Sequence, residues 1–548
     1  MAGIQVAVIT RKSLTTDEIV MIPAAYYYVK TGDPRFIREH PPLSKILAGM
    51  PLILTRLRLD PPPADVQDTD WDRLMRVWTS NRGKFEEISF TTRMPAIGLT
   101  VALGLLIFIF AREMFGARAA VLAVALFSLE PTVLAHGRVV QTDIPAAFGF
   151  LLFFYVLRRY LKGPTWSTAL ALGLAVGLAA ITKFSMLLVI PILGVVFVWL
   201  LCRSTHPQGR RIVTAAHAGV AALGFLLLVN AAYLFSRSPV IGSDLELVTQ
   251  AVPSFAGIAT TAVRMLSPFL PTDFIIGIFW QIKHNAEGHP ASLLGAYSRY
   301  GWWYYFPVAF ALKTTIPFLI LSMASLVSSV VEFARRRDRR YLWLLVPFGV
   351  YTVFVMTSQI DIGVRYYLPA FPFLCMAGGV ALDSLVRSER MRRMGIAVTL
   401  VLFAWVGIEV IRAYPDEMVY MNEFTAGSPS WEYLSDSNVE WGDDVKELAA
   451  YLRERGETRV RSAVLSGYLT FRFYGIEHVD FLPAEDAPVP KIRYIAIGAA
   501  FLNGSVVPNR INGRALSEEE RVNLLDQYRH RTPEKIIGRS IYVFRDFE

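Results

Sequence analysis

Apolar runs about as long as a bilayer's hydrocarbon core dominate the middle of this 548-residue chain. A core of roughly 30 Å takes about 20 residues of helix, and somewhat fewer where polar ends reach out to the headgroups. By that measure there are about ten spans, at 94–111, 119–135, 143–157, 168–182, 184–201, 212–235, 303–330, 341–358, 366–385 and 395–412. So much lipid-compatible sequence excludes a soluble multidomain protein, in keeping with a composition that is 53% hydrophobic and 18% charged. The expected class is mainly α, a polytopic helical membrane protein. Its formal charge of +9 does not point to nucleic acid, because the basic residues sit in short clusters between apolar runs, where cytoplasmic connectors carry them. The two cysteines, Cys202 and Cys375, lie on different spans and imply neither a disulfide framework nor a thiolate metal site.

Alternate connectors are basic: Arg112 and Arg118, then Arg158, Arg159 and Lys162, then Arg203, Arg210 and Arg211, then Arg335 to Arg340, then Arg387, Arg390, Arg392 and Arg393. These face the cytoplasm by the positive-inside rule, so the opening segment, "LAHGRVVQTD", the Thr182-Lys183 turn, loop 236–302, "SQIDIGVRYYLP" and everything after Ile411 face outward. Only "MAGIQVAVITRKSLT" precedes the outward opening segment, which is too short to cross a bilayer and resembles no signal peptide. The expectation is that a first span lies upstream of Met1. From about Tyr414 the composition turns soluble. "WEYLSDSNVEWGDDVKELAAYLRERG" reads as loop then amphipathic helix, and "VRSAVLSGY", "KIRYIAIGAAFL" and "RSIYVFRDF" read as strands of a small α/β domain. The chain thus divides into a first outer loop (1–93), a transmembrane domain (94–412, including outer loop 236–302) and an extracytoplasmic α/β domain (413–548).

Polar residues collect at the outer ends of the spans. Thr15-Thr16-Asp17-Glu18 fits a capping box ahead of an apolar helix, and the same geometry sets two carboxylates at a positive helix end that keeps an acid ionised and able to act as a base. Pro41 and Pro42 enforce a turn that displays Glu39 and His40, either as solvated loop residues or as ligands. Lys183 and Arg365 stand at the heads of spans, where a cation either snorkels or binds an anion. Arg138 and Asp143 could pair with each other and cap a span. His284 and His289 precede an aromatic belt that anchors at the interface, which does not account for the histidines. Carboxylates, histidines and cations gathered at one face could activate a hydroxyl and hold a lipid-linked phosphate reached from the bilayer.

In order along the chain, "TTDEIVMIPAAYYYVKTGD", "EHPPLSKILAGMPL", "RVVQTDIPAAFG", "ITKFSMLL", "GHPASLLGAYSRYGWWYYFPVAFALKT", "IGVRYYLPAFPFL" and "NVEWGDDVKELAAYL" together resemble the bacterial branch of the dolichyl-phosphate-mannose protein mannosyltransferase family. These are type C glycosyltransferases, and the lipid A aminoarabinose transferase is a relative. The resemblance implies inverting transfer of a mannose-like hexose or related sugar from a polyprenyl phosphate to an acceptor hydroxyl, a protein Ser/Thr by the family's habit, or else a lipid or polysaccharide, on the outer side of a bacterial inner membrane. It implies Asp17 as base or acceptor-orienting carboxylate supported by Glu18, with Lys183 and Arg365 holding the donor phosphate. Asp143 matches an acid of the second outer loop, and Glu39, His40, Arg138 and Tyr366 line or support the site. No cofactor is required by the resemblance, although some relatives hold a divalent metal where Glu39 and His289 or His284 would stand, a carboxylate-imidazole set compatible with zinc. The stretch "NVEWGDD" departs from the family at Glu440 and Asp443, and Tyr366 stands where relatives often carry His. The rival reading is a lipid-phosphate flippase or transporter, which calls for ionisable groups at mid-bilayer and repeated halves. Here the charges gather at one face, and the acidic motif has no second copy.

Overall fold

The computed structural model describes all residues except 62–68, 203–207, 466, 482–491, 512–513 and 547–548. Arg203 of the third basic connector and Lys491 of an expected strand lie outside the described residues. Among the described residues seven helices are long and apolar enough to cross a membrane: Arg82–Phe115, Asp143–Lys162, Phe184–Cys202, Arg211–Ala232, Ile316–Arg336, Val364–Arg387 and Arg392–Ala413. Shorter apolar helices at Ala117–Leu129, Trp166–Thr182 and Leu342–Val355 complete the bundle. Helix is the form such runs must take in lipid, where every backbone amide has to find its partner within the segment. The protein is a mainly α, multi-pass membrane protein with a C-terminal sheet.

Three of the expected runs have different limits, and proline or polar residues explain two of them. The 119–135 run breaks at Glu130, whose backbone is extended ahead of Pro131, so that a short helix Pro131–His136 follows at a new angle. The 303–330 run divides into Tyr305–Lys313 and Ile316–Arg336, with Thr314 and Thr315 extended and Pro317 in the first turn of the second helix. At that break the Lys313 ammonium donates to the carbonyls of Met418 (2.8 Å) and Asn438 (2.6 Å). The first span is longer than its apolar run, because the helix already begins at Phe85 with Glu86 and Glu87 in its first turn.

Four of the basic connectors meet at one end of the bundle. Arg340 donates to the Met114 carbonyl (2.9 Å), Arg118 and Arg387 both reach Asp383 (3.2 and 2.8 Å), and Arg158 reaches Glu113 (3.2 Å). The opposite end is roofed by the first loop, the 236–302 loop and the C-terminal region. In the first loop, helices Thr16–Thr31, Leu43–Leu52 and Asp70–Thr79 pack around Trp78, whose indole donates to the Ile19 carbonyl (2.8 Å). Arg38 ties this loop to the next by reaching Asp244 and Asp273, each at 2.8 Å.

The C-terminal sheet has Arg459–Ala463 parallel to both Glu477–Asp480 and Tyr494–Gly498, then Ile541–Arg545 antiparallel to Tyr494–Gly498 and to Lys535–Ile537. The alternating runs of the sequence form its three central strands. The amphipathic helix Val445–Glu454 buries Val445, Leu448, Ala449 and Leu452 against one face.

Candidate active site

The capping box forms, and it sends the two adjacent acids in opposite directions. Glu18 accepts from the Thr15 amide (2.9 Å) and turns inward, where Arg93 grips both its oxygens (2.8 and 2.5 Å) and the Val140 amide donates a further bond (2.9 Å). It is fully buried, and every direction in which it could accept is used. Asp17, one residue earlier on the helix, faces the space between the roof and the bundle. Its carboxylate accepts from Arg365 Nη1 (2.7 Å) while its side chain remains 35% exposed, enough for another molecule to reach it. Burial alone would raise its pKa, but the Arg365 guanidinium holds it below the usual carboxylate range.

Arg365 sits in the turn Val364–Ala370 at the head of its span, with its guanidinium 4.2 Å from the centre of the Trp441 ring and 5.6 Å from that of Tyr366. Tyr366 carries a second cation, because Lys183 Nζ lies 3.5 Å from the same ring centre. Lys183 occupies an extended link between helix Trp166–Thr182 and the next turn, which aims its ammonium at Asp143 (2.5 Å). The result is a continuous line, Asp17, Arg365, Tyr366, Lys183, Asp143, assembled from four separate segments. Beside it a mostly apolar cavity of about 300 Å³ runs between Lys183, Tyr366, Gln281, Asn285, Tyr351 and Phe354. A larger hollow of about 570 Å³ at Asp33, Arg35, Arg73 and Arg76 is open to solvent and has no residue in common with the line.

The remaining expected residues surround this line. Arg138 does not pair with Asp143; it is buried and reaches Asp443 (3.5 Å) and Glu417 (3.8 Å), leaving Asp143 to Lys183. His40 is kept neutral by burial, which lowers its pKa. Glu39 presents its carbonyl to Gln281 (3.0 Å). His284 and His289 meet at 3.4 Å, and His289 turns its other nitrogen toward Asp436 (3.9 Å). Among the described residues the three potential ligands that converge are Asp416, Asp444 and Glu447, and these surround the Lys12 ammonium. Among the described residues Glu39, His284 and His289 do not converge in such a set. Two residues near the line were not among those expected. Trp441 stood in a quoted motif, but nothing in the sequence linked its ring to Arg365. Asp436 gave no local signal, yet its backbone is left-handed (φ 54°) and burial pushes its carboxyl up to about 6.

Residues 85–234 match the model of the dolichyl-phosphate-mannose-protein mannosyltransferase family. Over that segment the chain resembles these glycosyltransferases. The matched segment contains Asp143 and Lys183, and the other line residues flank it. No curated protein sequence matches. Among solved structures, similar ones include ArnT from Cupriavidus metallidurans bound to undecaprenyl phosphate, with 15% identity, 99% of this chain and 96% of that one covered, and a TM-score of 0.48. The S. cerevisiae protein O-mannosyltransferase Pmt1-Pmt2 complex bound to the sugar donor has 12% identity, 76% and 88% coverage, and a TM-score of 0.49. The Archaeoglobus fulgidus oligosaccharyltransferase in the apo form has 13% identity, 89% and 61% coverage, and a TM-score of 0.45. At these values the superpositions are likenesses only, and the resemblance to the family is carried by residues 85–234 and the ordered motifs.

Proposed function

We propose that the protein transfers a sugar, with inversion, from a polyprenyl-phosphate donor to an acceptor hydroxyl of a protein Ser or Thr, at the outer face of a bacterial inner membrane. The observation that carries this reading is one reachable carboxylate, Asp17, next to two cations that share the Tyr366 ring, beside an apolar cavity suited to the start of a lipid chain. The donor phosphate takes the place of Asp17 and Asp143 as partner of Arg365 and Lys183. Asp17, released, accepts the proton of the acceptor hydroxyl as its oxygen attacks the anomeric carbon from the face opposite the phosphate. The bond from that carbon to the phosphate oxygen breaks, and the second negative charge that develops on the leaving phosphate is met by Arg365 and Lys183, so the leaving group needs no proton. The basic connectors at the far end of the bundle support a cytoplasmic side there, by the positive-inside rule.

The test uses purified protein with an undecaprenyl-phosphate hexose and a Ser/Thr peptide pool. Release of undecaprenyl phosphate coupled to peptide glycosylation is expected, and Asp17→Asn abolishes it. Lys183→Ala and Arg365→Ala each lower turnover by about 10²–10³, the range for removing one preorganised donor at a developing charge, and weaken donor binding as well. Release with a glycolipid or polysaccharide acceptor and none with peptides moves the reading to those acceptors. Redistribution of intact donor across liposomes without release refutes transfer.

A further inference from the structure

The residue that holds the two halves of this site in register comes from the C-terminal region. Segment 437–444 runs between the chain around Arg365 and the chain around Asp17, and it is bonded to both. On the Arg365 side, Ser437 Oγ donates to the Ile362 carbonyl (2.6 Å) and Asn438 accepts from the Val364 amide (2.9 Å). On the Asp17 side, the Trp441 carbonyl accepts from the Thr16 amide (2.9 Å), the Gly442 carbonyl from Ser13 Oγ (3.0 Å), and the Asp443 carbonyl from the Ser13 amide (2.8 Å). Glu440 anchors the same segment to the sheet by accepting from the amides of Leu465 (2.7 Å) and Ala500 (3.0 Å). Trp441 is only 2% exposed, with the Arg365 guanidinium over its face at 4.2 Å. Its side chain therefore meets Arg365 while its backbone is bonded next to Asp17.

We propose that Trp441 is a positioning residue for the transfer reaction: its ring face fixes the plane in which Arg365 meets the donor phosphate. This rests on the transferase reading for its effect on turnover, but not for its effect on phosphate binding. The stack keeps Arg365 aimed once Asp17 has let it go, because a cation over an aromatic face is held without a counter-ion.

Two substitutions isolate the ring face. Trp441→Phe keeps the ring face; Trp441→Leu removes it. In the full-length protein in detergent, undecaprenyl phosphate should bind to Trp441→Phe within about twofold of wild type and to Trp441→Leu about tenfold more weakly, as loss of a desolvated cation–π contact implies. Turnover should follow the same order, near wild type in Trp441→Phe and reduced in Trp441→Leu. Wild-type phosphate affinity in a folded Trp441→Leu, or a loss in Trp441→Phe as large as in Trp441→Leu, overturns the proposal. Should Trp441→Leu not fold, Trp441→Met, which fills more of the ring's volume without its π face, takes its place. If the wild-type protein binds undecaprenyl phosphate but releases none from the donor, the transferase reading fails and the binding comparison still tests Trp441.

Discussion

Asp17 and Glu18 are neighbours with opposite expected behaviour, and their exchange for the neutral amides separates chemistry from architecture. Glu18→Gln leaves the Arg93 guanidinium, 2% exposed, with no full negative charge against it. Removing one partner of a buried ion pair costs roughly 3–5 kcal/mol, and here the lost carboxylate also served the Val140 amide at 2.9 Å. Asp17→Asn disturbs a pair whose acid is 35% exposed, while Arg365 keeps the Trp441 face. Pairs of that exposure are worth about 0–1 kcal/mol. In a thermal melt of the detergent-solubilised protein, Glu18→Gln should lower Tm by about 5 °C or more, from a few degrees per kcal/mol reduced for a long chain. Asp17→Asn should melt within about 2 °C of wild type. Undecaprenyl-phosphate release should show the reverse order: none from Asp17→Asn, and a measurable rate from the folded fraction of Glu18→Gln. The double variant Glu18→Gln/Arg93→Met, which removes both buried charges, should recover much of the lost Tm. A Glu18→Gln protein that melts with wild type, or an Asp17→Asn protein that melts as low as Glu18→Gln, refutes the division of labour.

Asp361 is fully buried and accepts from the Trp302 amide (2.7 Å), and burial pushes its pKa up to about 7. Because the folded value lies above the unfolded one, the ionised form opposes folding, and the penalty grows as pH rises between the two values. Asp361→Asn should therefore raise Tm at about pH 8, by an amount that shrinks at about pH 5; an equal shift at both pH values would contradict the assignment. Lys12 is 2% exposed and holds Asp416 (2.5 Å), Asp444 and Glu447 (3.0 Å) together. Lys12→Met leaves those carboxylates facing one another and should destabilise the protein by roughly 3–5 kcal/mol, seen as a lower Tm; an unchanged melt would mean the cluster is solvated and the pairing inconsequential.

The spans were legible because a bilayer imposes one length scale and one backbone solution, and both are written in local composition. Their interruptions were less so: Pro131 and Pro317 were in view, but whether a proline breaks a span or is absorbed in its first turn depends on what the freed carbonyls meet, and at Lys313 it is the distant carbonyls of Met418 and Asn438 that take up the polar group. The acids and cations of the site could be named because each is a charge at the edge of an apolar run. Their partners could not. Arg138 and Asp143 are five residues apart and read as a local pair, yet their charges are matched by Asp443, Glu417 and Lys183 from other segments. Nothing local in "NVEWGDD" reveals that Trp441 sits against Arg365, because the two residues are 76 positions apart in the chain, with helices Phe371–Arg387 and Arg392–Ala413 between them.

These pairings also bear on how the site can work. The line from Asp17 to Asp143 sets two cations about one tyrosine and an acid at each end, so it is neutral before any substrate arrives. A dianionic or monoanionic phosphate entering it must displace a carboxylate from each cation, which lowers donor affinity relative to a site of bare cations. In the proposed reaction the same exchange frees Asp17 as base when the electrophile is in place, and not earlier. A site of this kind protects its carboxylate from idle protonation by keeping it ion-paired. On that proposal it also couples the two substrates, since acceptor activation by Asp17 depends on donor occupancy at Arg365. The coupling requires that Arg365 stay in place when its partner changes, and a cation held from one side by an aromatic face meets that requirement better than one held by carboxylates alone.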